Sequence, residues 1–141
     1  MHKKRAVSVT AIVIIILLAM VFVTSDYFYH KNSGTFIDAL TVMRDHPDIG
    51  FELCGQLTIK EYAKDCYTTY LSVEIENVRA KYPNYSELKG EEKRDTGIKM
   101  LNEISEKVEK VCGIQLMAED SETCINVPAI LELQKDQIIA S

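Results

Sequence analysis

The sequence predicts an all-α protein: one N-terminal transmembrane helix followed by a small, disulfide-stapled antiparallel helical hairpin or bundle. Three observations carry this. An uncharged apolar run occupies residues 6–23, later segments repeat their apolar residues every three to four positions, and all four cysteines lie beyond the apolar run. No stretch alternates polar and apolar residues over the length of a strand. At 141 residues the chain has room for one domain besides a membrane segment. Residues 1–30 are assigned to a basic tip and anchor, and residues 31–141 to an extracytoplasmic helical domain.

The anchor is read first. Ala6 to Val23, including Ile14 and Leu17, is AVSVTAIVIIILLAMVFV. As a helix it would extend ~27 Å, near the thickness of a bilayer's hydrocarbon core. Tyr27, Phe28 and Tyr29 follow at the depth where aromatic rings favour the interface. Lys3, Lys4 and Arg5 precede the run, which places the N-terminus in the cytoplasm and the rest outside it, in a periplasm or at the cell surface. The competing reading is a signal peptide cleaved before Asp26. The run is longer than the ~7–15 residues of a signal h-region, which favours an uncleaved anchor.

Charge excludes one class of partner. Three of the sixteen Lys and Arg residues lie before the anchor. Thirteen therefore remain from Asp26 onward against all 21 Asp and Glu, a net charge of −8. Such a domain repels phosphate backbones, so no nucleic-acid partner is expected.

Within the domain, Phe36, Ile37, Leu40 and Met43 predict a short helix over 35–45, stopped by His46-Pro47. Residues 48–57, with Gly50 and Gly55, read as a loop. Thr58 and Glu61 match a capping box that would open a long helix running to about Tyr82. Its expected buried stripe is Ile59, Tyr62, Ala63, Cys66, Tyr70, Val73 and Val78. Pro83 and Gly90 bracket a turn, and Ile98, Leu101, Ile104, Val108 and Val111 give a second long helix over 91–111. Gly113 suits its C-cap. A polar loop over 118–123 precedes a last helix, with Pro128 in its first turn.

Cys54, Cys66, Cys112 and Cys124 form an even set in a small exported domain, the usual signature of disulfides. Cys66 and Cys112 are equidistant from the turn near residue 89, and so are Cys54 and Cys124. Nested bridges Cys66–Cys112 and Cys54–Cys124 are therefore favoured. Local bridges Cys54–Cys66 and Cys112–Cys124, or a crossed set, are the alternatives. A nested hairpin resembles the twin-cysteine coiled-coil-helix family, although the spacing here is CX11C rather than CX9C. No close cysteine pair suits zinc, and no metal or cofactor is implied.

Other motifs carry less. His46-Pro47-Asp48 resembles the J-domain co-chaperone signature in those three residues alone, and is read as a proline-terminated helix end. Asn84-Tyr85-Ser86 is a glycosylation sequon in the expected turn, so Asn84 is a candidate modification site. His30 and His46 have no second histidine one turn away and read as solvated. Nucleophile and phosphate-loop motifs are missing, which implies no enzyme.

The layout of anchor Ala6–Val23 followed by a helical, four-cysteine ectodomain is similar to small single-span accessory subunits of membrane enzyme complexes, such as those of thaumarchaeal ammonia monooxygenase. The resemblance implies a non-catalytic accessory or scaffold subunit whose partners are other membrane subunits and the lipid bilayer, with copper chemistry residing elsewhere. The alternative is a free-standing membrane-anchored binding or adaptor module.

Overall fold

The computed structural model describes residues 9–118 and 122–140; the Ala6 end of the expected anchor lies outside them. Among the described residues the chain is helical throughout, in the order α1 (Val9–Met43), α2 (Pro47–Cys54), α3 (Lys60–Ala80), a 3-10 turn (Tyr85–Glu87), α4 (Gly90–Cys112), α5 (Gln115–Ala118) and α6 (Glu122–Ala140).

α1 combines two elements that the sequence suggested separately. No proline interrupts the chain before Pro47, and an exposed Gly34 lowers helix propensity by only ~1 kcal/mol. The helix therefore continues for 35 residues, about 52 Å, through the expected boundary at residues 30 and 31. It is the one helix among the described residues long and apolar enough to cross a membrane. Ile14, Leu17 and Val23 lie fully on its exposed surface. Burial begins at Asn32 and continues through Ala39 and Met43, with Phe36 packed against the core. The stripe is thus rotated from the expected one, and Ile37 and Leu40 face outward.

Residues 48–54 are not a loop, although 55–57 are turn and irregular chain as expected. Pro47 fixes φ at the first helical position and Asp48 lies in the first turn, so α2 forms as a short helix folded back on α1. Gly50 permits that contact. A Cβ there would lie 2.9 Å from Met43 Cβ and 3.0 Å from its Cα.

α3 and α4 pack as the expected antiparallel hairpin. α6 lies along α4, while α1 and α2 cover the first half of α3. The core draws on Cys66, Tyr67, Tyr70, Leu71 and Val78 of α3 and on Leu101, Ile104, Val108 and Val111 of α4, with Met117 of α5 and Leu131 of α6. Gly97 replaces the expected Ile98 at the buried position of α4. The last helix begins at Glu122, within the expected loop over 118–123, of which 119–121 lie outside the described residues. Pro128 therefore lies inside this helix rather than in its first turn, and brings no N–H of its own to it. The bridge at Cys124 ties this first part of α6 to α4.

Candidate functional site

Three regions bear on function: the junction between anchor helix and domain, the bridged hairpin, and the surfaces left uncovered.

The junction centres on Asn32, which is 4% exposed. Its Oδ1 accepts the backbone N–H of Thr58 at 2.7 Å and that of Ile59 at 3.0 Å. Its Nδ2 donates to the Phe28 carbonyl at 2.7 Å and to Thr58 Oγ1 at 2.9 Å. An asparagine 26 residues upstream thus supplies the acceptor for the α3 N-terminus. The capping box expected of Thr58 and Glu61 does not form, and α3 has no side-chain bond from its own N-cap, Ile59. The reason is geometric: once α1 lies against α3, Asn32 reaches the free N–H groups first. Tyr62 adds an aromatic contact, its ring centroid 5.3 Å from Phe36 and 6.1 Å from Tyr29.

The bridges correct the nested expectation. Cys54 pairs with Cys66, and Cys112 pairs with Cys124. Equidistance from a turn fixes the height of a residue along a hairpin but not the direction in which it faces. Tyr70 Oη lies 3.0 Å from Lys110 Nζ, so Cys66 and Cys112 do fall at similar levels. However, Cys66 faces α2 and Cys112 faces α6. Each bridge joins the last residue of one helix to the next long helix across an X11 interval. Both first cysteines are followed by glycine, Cys54-Gly55 and Cys112-Gly113. That repeated Cys-Gly-X10-Cys pattern was the available signal for local pairing.

Polar clamps fix the helices laterally. Lys110 Nζ meets Tyr70 Oη and, at 3.2 Å, Asp48 Oδ1, and lies 4.3 Å from the Phe51 ring centroid. This ties α4 to α2 and uses the Asp48 of the His-Pro-Asp tripeptide structurally. Burial opposes the Lys110 charge, but the bonds to Tyr70 and Asp48 outweigh it and raise its pKa. Glu74, 5% exposed, pairs with Lys107, and that bond raises the lysine pKa. Glu103 accepts from Tyr82 and, at 2.9 Å, from Lys81; these bonds, the tyrosine's first, lower its pKa.

Several surfaces stay open. Ile125, Ile130, Leu133 and Ile139 are exposed on α6. Asn84 is exposed before the 3-10 turn, as the sequon reading requires for access. His30 and His46 are exposed, with His30 Nε2 3.4 Å from Asp26. Among the described residues no three His, Cys, Asp or Glu side chains converge as metal ligands. A cleft of about 890 Å³ opens between the start of α4 and the end of α6, beside Arg79 and Tyr85. Sequence reasoning did not identify it, since its residues come from four separate segments. Compared with known proteins, the chain matches no family model, no curated protein and no solved structure.

Proposed function

We propose that this chain is a non-catalytic accessory or scaffold subunit of a membrane protein complex, docking through its extracytoplasmic helical domain. The N-terminus lies in the cytoplasm, as the flanking Lys3, Lys4 and Arg5 favour. The observation that carries the reading is the Asn32 junction. α1 passes from its exposed apolar stretch into the domain without a break, and Asn32 fastens it to α3. A domain so mounted keeps a fixed orientation relative to the bilayer, which lowers the entropy lost on docking to a membrane partner. Membrane confinement also raises its effective concentration near such a partner. The exposed isoleucines and leucine of α6 leave apolar side chains uncovered on the domain. An ammonia monooxygenase-type complex is one assembly of this kind. The test is crosslinking in intact native membranes, then mild detergent extraction and mass spectrometry. Recovery of one defined set of membrane subunits, crosslinked to the 31–141 region, supports the reading. A monomer crosslinked to nothing overturns it.

A further inference from the structure

We propose that the cleft between α4 and α6 binds a small soluble amphiphilic anion, one carboxylate or phosphate group on an apolar body. This inference is independent of the docking role.

The chemistry of the lining selects the ligand. Arg79 closes the last turn of α3, Lys93 sits in the first turn of α4, and both line the cleft. Neither has a carboxylate ion-pair partner among the described residues. Arg94 is already engaged, at 3.2 Å by Glu91 and 3.6 Å by Asp95. Two uncompensated cations thus meet in one concavity of a domain whose net charge is −8 from Asp26 onward. In such a background, cations converging on a cleft favour an anion by charge complementarity.

One carboxylate, Glu91, also lines the cleft, where it pairs with Arg94, and the remaining wall is apolar and amide. Met100, Leu101, Ile138 and the Tyr85 ring line the cleft together with Gln134 and Gln137. Lys93 Nζ stands 5.7 Å from the Tyr85 ring centroid, so the cationic and aromatic surfaces adjoin. Gly97 sets this geometry: a Cβ there would lie 2.7 Å from Tyr85 Oη and 3.1 Å from Ile138 Cδ1. The volume matches a drug-sized molecule and greatly exceeds a bare phosphate ion.

Location separates a soluble ligand from a lipid headgroup. Arg79 is ~28 Å along α3 from Lys60, where the helix starts at the Asn32 junction. The cleft therefore lies at the end of the hairpin remote from the anchor.

The test uses the full chain in zwitterionic nanodiscs, with ¹³C-labelled methionine and isoleucine methyls read by NMR. The probe is phenyl phosphate, compared with benzyl alcohol and inorganic phosphate. Saturable shifts of Met100 and Ile138 are expected with phenyl phosphate. Its dissociation constant should rise about tenfold or more in Arg79→Gln and in Lys93→Gln, and stay unchanged in Lys60→Gln. The methyl spectrum without probe confirms that each variant is folded. No shift with phenyl phosphate overturns the proposal, as does equal binding of benzyl alcohol or of inorganic phosphate. It is also overturned if both glutamine variants bind as wild type. Shifts produced by anionic nanodisc lipid alone would transfer the site to the bilayer and refute a soluble ligand.

Discussion

Replacing Asn32 by alanine should loosen the start of α3 without unfolding the rest of the domain. The side chain accepts two backbone N–H bonds and donates two more bonds. Loss of an N-cap acceptor typically costs ~1 kcal/mol, and a buried donor left unpaired costs ~1–3 kcal/mol. Thr58 is exposed, so water can recover part of its loss, whereas Ile59 is half-buried. We therefore expect ~2–3 kcal/mol at this site, about 30- to 150-fold faster local opening at roughly tenfold per 1.4 kcal/mol. Hydrogen exchange with mass spectrometry on the full chain in nanodiscs reads this directly from peptides covering residues 57–64. Peptides from α4 should exchange as before. Asn32→Asp keeps the acceptor for both N–H groups, with a charge that suits a helix N-terminus, but loses both Nδ2 donor bonds and turns an oxygen toward the Phe28 carbonyl. Exchange at Thr58 and Ile59 should then fall between wild type and Asn32→Ala. Glu61→Ala, which removes the expected capping-box partner, should leave exchange at Thr58 and Ile59 nearly unchanged. The reasoning fails if Glu61→Ala accelerates exchange there and Asn32→Ala does not.

The two bridges should differ in accessibility: Cys54 and Cys66 are buried, whereas Cys112 and Cys124 are half-buried, so brief treatment with reductant and alkylator should label Cys112 and Cys124 first. Removing either bridge should cost ~3 kcal/mol on the chain-entropy account, and Cys112→Ala with Cys124→Ala should release α6 preferentially, seen as faster exchange in peptides 122–140. Lys107→Met strands the buried Glu74 carboxylate and should destabilise by ~2–3 kcal/mol in urea titration, less than a fully buried pair because Lys107 is partly exposed; Glu74→Gln with Lys107→Met should recover much of this. The lowered Glu103 pKa means that its contribution is present above the ordinary glutamate value of 4.5 and is lost as pH falls through the folded value; Glu103→Gln should flatten the acid side of a Tm-against-pH curve. Lys107 has the opposite sign: its raised pKa makes its contribution complete below 10.5 and lost only as pH climbs through the higher folded value.

The sequence alone determined the helical class, the apolar N-terminal helix and the α3–α4 hairpin, because each rests on local periodicity and on breakers such as Pro83. It located most of the α4 stripe for the same reason, since Leu101, Ile104, Val108 and Val111 repeat at helical spacing. It did not determine what continues, what caps and what pairs. Whether residues 24–34 stay helical depends on α1 gaining a packed face from Asn32 onward. The cap of α3 comes from Asn32 because two elements distant in sequence lie side by side, and no local motif encodes that contact. Disulfide choice depends on the direction each cysteine faces, a rotational quantity that height along a hairpin leaves open. The α4–α6 cleft likewise exists only where four segments converge, so its cations read in the sequence as ordinary solvated charges. Periodicity located most of the buried face of α4; tertiary packing decided the rotation of α1 and which faces would meet.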